Sequence, residues 1–126
     1  MAYLVDTDVL IDCMRGNPDA VFCLQSLAGD YALSRITALE LVVGSRDNRN
    51  LAEIDRFLET QTILPLVAEI GARAYSLVKT YARSHGLQPF DALIAATAIE
   101  ENLTLVSKNR KHFAMIANLS LQVPRY

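Results

Sequence analysis

Short apolar runs that end in polar residues alternate along this chain with stretches whose apolar residues recur every three or four positions. Runs of the first kind mark buried strands, and stretches of the second kind mark helices with an inward face. Ala2 to Asp6 reads as a strand. Asp8 to Arg15 follows as a helix with Val9, Leu10 and Cys13 on one side and Gly16 as its stop. Pro18 opens a helix to about Ala28, and Gly29-Asp30 turns the chain into a second strand, Tyr31 to Ser34. Thr37 to Arg46 reads as a helix with Leu39, Val42 and Val43 inward. Leu51, Ile54, Phe57 and Leu58 place another over residues 50 to 60. Ile63 to Leu66 is a third strand, marked as an edge by Pro65. Ile70, Ala74, Leu77, Val78 and Tyr81 share a helical spacing that Gly86 ends. Phe90 to Glu101 is apolar nearly all round and therefore central. Thr104 to Val106, Arg110 to Ile116 and Leu119 to Val123 complete the pattern as strand, short helix and strand. Such alternation predicts an α/β fold, a parallel sheet of four to five strands covered on both faces.

In open parallel sheets, sites form beyond the carboxyl ends of the strands. Asp6 closes the first strand, and Glu40 lies in the first turn after the second. Asp91 begins a helix that runs back toward the fourth strand, and Asn109 follows that strand. All four positions fall on one rim. Two carboxylates about 4 Å apart repel by roughly 4 kcal/mol at an effective dielectric near 20. The usual relief is a proton or a hard divalent cation.

Each signal also has a plain structural reading. Thr37-x-x-Glu40 has the form of a capping box. Asp91 suits the positive end of a helix dipole. Asp8 or Thr7 is able to cap the helix after the first strand, and Asn109 the one after the fourth. Asp6 fits such readings least, because one cap satisfies that helix and Asp6-Thr7-Asp8 offers three. The convergence of four signals favours chemistry over capping.

Composition narrows the partners. The net charge of −2 does not mark a nucleic-acid binder, but residues 104 to 126 hold Lys108, Arg110, Lys111 and Arg125 and no acid. A basic lip beside an acidic pocket gives this distribution, and so does an ordinary solvated surface. An apolar share of 52% is rich for one domain of 126 residues and points to a homodimer or another covering partner. Cys13 and Cys23 lack metal-ligand spacing and read as reduced thiols of a cytoplasmic protein, a disulfide being the lesser alternative. No signal peptide or membrane-spanning run is evident. His85 and His112 read as surface residues. Arg46 and Arg49 read as solvated charges within reach of a substrate. There is no Gly-rich phosphate loop and no nucleophile elbow.

The segments Leu4-Val5-Asp6-Thr7-Asp8-Val9-Leu10-Ile11, Ser34-x-x-Thr37-x-x-Glu40-Leu41, Asp91-Ala92-Leu93-Ile94-Ala95-Ala96-Thr97-Ala98 and Leu105-Val106-Ser107-x-Asn109-x-x-x-Phe113 resemble the four signature segments of PIN-domain ribonucleases. They are most similar to the toxin subunits of VapBC toxin–antitoxin pairs. The resemblance spans essentially the whole chain, in order. It implies a three-layer α/β/α fold and a Mg²⁺- or Mn²⁺-dependent endoribonuclease, dimeric and restrained by a cognate antitoxin. Asp6, Glu40 and Asp91 match the acidic metal-site residues of that family. Thr7 and Ser107 match its small hydroxyl residues. Two positions depart from the pattern. Asp8 stands where such toxins often have Asn or Ser, and Asn109 stands at the fourth acidic position of the wider family. An amide coordinates through its oxygen without bringing charge, so a second ion is held less tightly.

The expected chemistry is hydrolysis of an RNA phosphodiester, leaving a 5′-phosphate and a 3′-hydroxyl. Lys108, Arg110 and Lys111 are placed to meet the phosphates of a single-stranded or looped RNA. A stand-alone processing nuclease and a catalytically degenerate binding module are the alternatives. A receiver domain is not, because the phospho-accepting Asp and its Lys have no counterparts here.

Overall fold

The structure, a computed structural model, describes residues 1–126. Five strands are separated along it by seven helices, two in succession after each of the first three strands and one after the fourth. They are β1 (Tyr3–Val5), α1 (Thr7–Met14), α2 (Pro18–Ser26), β2 (Tyr31–Ser34), α3 (Arg35–Val43), α4 (Asn48–Glu59), β3 (Ile63–Leu64), α5 (Ala68–His85), α6 (Pro89–Glu100), β4 (Thr104–Val106), α7 (Arg110–Phe113) and β5 (Leu121–Gln122). Across the sheet the order is β3-β2-β1-β4-β5, and every neighbouring pair is parallel. β1 is therefore central, with Leu4 beside Ala32 on one flank and Val5 beside Val106 on the other.

Successive strand residues face opposite ways, and the two faces carry separate cores. Leu4, Ala32 and Leu105 pack with residues of α5 and α6, Ile70 and Ile94 among them. Val5, Leu33 and Val106 pack with Val9 and Leu10 of α1, Leu41 of α3 and Ile54 and Leu58 of α4. Helices thus cover both faces, which makes the three layers. α6 is the central helix that its sequence predicts, and Ala92, Ile94, Ala95, Ala96 and Ala98 are fully buried. Its buried Thr97 satisfies its hydroxyl within the helix by donating to the Leu93 carbonyl at 2.7 Å. α5 ends at Gly86, whose φ of 70° is the left-handed conformation that glycine adopts without strain. No helix is long and apolar enough to cross a membrane.

α3 departs from its expected phase. It starts at Arg35 rather than Thr37, because the Ser34 hydroxyl accepts from the Ile36 amide and caps it. Thr37 is therefore inside the helix and fully buried, and the expected capping box with Glu40 does not form. The inward residues are Ile36, Thr37, Ala38 and Leu41. Leu39, Val42 and Val43, expected inward, are exposed, Val43 by 85%. The cause is that α3 is apolar on almost every side, so period alone does not choose its buried face. At the other end Gly44 ends the helix before Arg46.

Candidate functional site

Asp6 is the residue after β1, and it occupies the N-cap of α1 in place of the expected Thr7 or Asp8. Its amide still belongs to the sheet and donates to the Val106 carbonyl at 2.9 Å. That contact holds the side chain inside, where it is only 3% exposed. Oδ1 accepts from the Thr7 amide at 2.8 Å, and Oδ2 accepts from the Ser107 hydroxyl at 2.7 Å. Both bonds favour the charged form. They are outweighed. Burial first, then the neighbouring Asp8, and more weakly Asp91, push the Asp6 carboxyl from 3.8 up to about 7. No basic side chain forms an ion pair with it.

Glu40 approaches from α3. Its Oε1 lies 2.7 Å from the Thr7 hydroxyl, which also lies 3.1 Å from the Thr37 hydroxyl. Thr7 gives its amide to Asp6 and its hydroxyl to Glu40, so one residue links the glutamate to the buried aspartate. Asp91 sits in the first turn of α6, half-buried. Burial raises its carboxyl, and His112, whose Nδ1 is 3.1 Å from Asp91 Oδ2, pulls it back down. Asp6, Thr7, Glu40 and Ser107 are thus joined by hydrogen bonds on the rim where the strand ends point, and Asp91 acts on Asp6 through its charge.

The remaining predicted residues frame this group. Asp8 Oδ1 accepts from the Val9 amide at 2.8 Å and Oδ2 from the Lys108 amide at 3.0 Å. Its charge acts on Asp6 while its oxygens hold backbone. Its own carboxyl is raised, chiefly by burial. The Asn109 amide donates to the Ser107 hydroxyl oxygen at 3.0 Å, and its side chain does not cap α7. Arg110 and Lys111 are exposed and have no ion-pair partner. Lys108 is already engaged, with Nζ 3.4 Å from Asp12 Oδ2. Beside Glu40 a cleft of about 410 Å³ opens between α1, α3 and α4, with Arg15, Arg46 and Phe57 in its wall. Arg49 instead pairs with Glu53 at 3.7 Å.

Three residues at or near the rim carry no signal in the sequence. His112 is half-exposed, as a surface residue should be, yet it reaches Asp91. Asp12 and Tyr126 meet across 114 positions of sequence. No local spacing announces either contact.

As the side chains stand, no three His, Cys, Asp or Glu residues already form a shared ligand shell. The chemistry of the donors still fits one class of ion. Asp6, Glu40 and Asp91 offer oxygen only, and Asp6 is a buried carboxylate without a counter-charge. Oxygen donors of this kind suit hard divalent cations and not soft ones.

The PIN domain model matches residues 3–119. The ribonuclease VapC19 of Mycobacterium tuberculosis is 34% identical over 123 residues, covering 92% of this chain and 95% of that protein. A toxin–antitoxin complex from Klebsiella pneumoniae contains a chain 30% identical, with a TM-score of 0.84 and 98% of both chains covered. VapBC2 from Rickettsia felis, solved bound to a DNA fragment from its promoter, gives 30% identity, a TM-score of 0.81 and the same coverage. This chain belongs to the PIN-domain family, as a protein of the VapC type.

Proposed function

We propose that this chain is an endoribonuclease and the toxin half of a toxin–antitoxin pair. Its site would be Asp6, Glu40 and Asp91 holding a hard divalent cation, Mg²⁺ or Mn²⁺. The observation that carries this reading is Asp6, a carboxylate 3% exposed, next to two further aspartates and paired with no cation of the chain. A bound ion of this class lowers the pKa of a coordinated water and shields phosphodiester charge. Ser107 would keep the Asp6 carboxylate aimed at the rim, and Thr7 would do the same for Glu40. Asn109 adds a neutral oxygen at the edge of the site, and Asp8 holds the loop that carries it. Arg110 and Lys111, exposed and unpaired, are placed to meet RNA phosphates.

Relatives named as ribonucleases and a neighbour solved as a toxin–antitoxin complex support this assignment. A segment of an antitoxin filling the cleft beside Glu40 would block the acids from the α1, α3 and α4 side. The exposed apolar face of α3, with Leu39, Val42 and Val43, would be covered in a homodimer. Free thiols at Cys13 and Cys23 are compatible with a cytoplasmic home.

The test is cleavage of a mixed RNA pool in Mg²⁺, in Mn²⁺ and in EDTA, by wild type and by Asp6→Asn. Cleavage only with the ion, and lost in the variant, is expected. Cleavage indifferent to both EDTA and the substitution would sink the proposal.

A further inference from the structure

Beside the acid rim, three residues from distant parts of the chain are tied together. Asp12 lies on α1, Lys108 in the turn after β4, and Tyr126 beyond β5. The Tyr126 hydroxyl donates to Asp12 Oδ2 at 3.0 Å. Lys108 Nζ lies 3.4 Å from the same oxygen and 4.3 Å from the centroid of the Tyr126 ring. A single carboxylate oxygen therefore receives two donors while the ring covers the ammonium. An ion pair of this exposure holds a long side chain loosely by itself. The aromatic face and the shared hydroxyl restrict it from two more sides.

The tie bears on the site through the backbone. Asp8 and Asp12 are one turn apart on the same face of α1. Asp8 holds the Lys108 amide and Asp12 holds its ammonium, so Lys108 is bound at both ends along one helix. The residue before Lys108 is Ser107, which donates to Asp6, and the residue after it is Asn109, whose amide donates to Ser107. Whatever fixes Lys108 also fixes the turn that aims the Asp6 carboxylate.

We propose that Asp12 and Tyr126 are positioning residues of the nuclease site, locking Lys108 and with it the Ser107–Asn109 turn against Asp6. The inference rests on the nuclease reading above. It makes Lys108 a structural cation and leaves contact with RNA phosphates to Arg110 and Lys111.

The test uses the full chain with Asp12→Ala, Tyr126→Leu and the conservative Tyr126→Phe, which keeps the ring over Lys108. For a short RNA, kcat is expected to fall about tenfold in the first two with KM within about twofold, as for other groups that orient a catalytic carboxylate. The salt dependence of kcat/KM is expected to stay unchanged, and Tyr126→Phe to recover most of the loss. Hydrogen exchange of the Lys108 amide should accelerate in Asp12→Ala and Tyr126→Leu. That measurement needs no catalysis, so a wild type that cleaves nothing overturns the nuclease reading while exchange still judges the tie. Should Asp12→Ala melt early, Asp12→Asn, which removes the charge facing Lys108 and keeps the size of the side chain, carries the comparison. The proposal fails if kcat and exchange match wild type in both variants. It also fails if the whole loss falls on KM with a shallower salt slope, because Lys108 would then be touching phosphate directly.

Discussion

Replacing Asp6 by Asn in the ion-free protein is expected to stabilise the fold at alkaline pH, and progressively less as the pH falls. The reason is linkage. In the unfolded chain the Asp6 carboxyl titrates near 3.8, and in the fold it is pushed up to about 7. Below the lower value both states hold the proton and nothing is lost. As the pH rises the unfolded chain releases its proton first, so stability drains away until the folded group also ionises, and above that point the loss is complete. A displacement of this size corresponds to about 4 kcal/mol. Since small domains are stable by only about 5–15 kcal/mol, the effect is large. An amide at position 6 does not ionise. Its oxygen is able to accept from the Thr7 amide, and its NH₂ to donate to the Ser107 oxygen after the hydroxyl turns. The assay is urea unfolding of wild type and Asp6→Asn in EDTA between pH 5 and 8. Titrating groups that do not interact with Asp6 cancel in the difference, which should grow by about 2–3 kcal/mol in favour of the variant over that range. Adding Mn²⁺ to wild type at pH 8, at about 100 times its Kd, should restore about 2.7 kcal/mol. A difference that stays flat with pH would refute the claim that the Asp6 charge is buried without compensation.

Other perturbations probe the same framework. Ser107→Ala removes the hydroxyl that donates to Asp6 and should cost about 1–3 kcal/mol in urea unfolding at pH 8, and less at pH 5, where the carboxyl is protonated. Thr7→Val keeps the shape but strips the hydroxyl from Glu40 and from the buried Thr37; RNA cleavage should fall about 10–100-fold, and urea unfolding should show a loss of about 1–3 kcal/mol from the Thr37 hydroxyl left without its partner. Arg110→Ala with Lys111→Ala should weaken RNA binding for all sequences alike and reduce the salt slope by about 1–2, read by titration at several ionic strengths. Val43→Asp places a charge on the exposed face of α3 and should shift a homodimer toward monomer in analytical ultracentrifugation; an unchanged sedimentation coefficient would move the interface elsewhere.

What the sequence made legible was whatever a local pattern encodes. The apolar runs Tyr3-Leu4-Val5 and Leu105-Val106 stop at polar residues, and those stops are where the strands end and the acid site begins. The parallel sheet, the buried α6 and the edge position of β3 followed from runs, periods and Pro65. Glu40 was found from an expected place in the first turn after β2, but α3 starts at Arg35, so Glu40 lies in its second turn and the supposed cap partner Thr37 is a buried residue of the helix. α3 was misphased because an almost wholly apolar helix has no preferred face in one dimension. Ser34 escaped notice as its cap because it also closes β2. The contacts of His112 with Asp91 and of Tyr126 with Asp12 join residues remote in sequence, and no spacing rule reaches that far.

The bond from Ser107 to Asp6 spans 101 positions. During synthesis, therefore, β1 emerges long before the strand that completes its acidic end. A nascent chain that has not yet made β4 has no hydroxyl to orient Asp6 and no neighbour to seat β1 on that side. Since domains fold as units and long-range pairings form late, the acid rim takes shape among the last steps of maturation. The RNA cleavage proposed for this rim would then be withheld until β4 has joined the sheet.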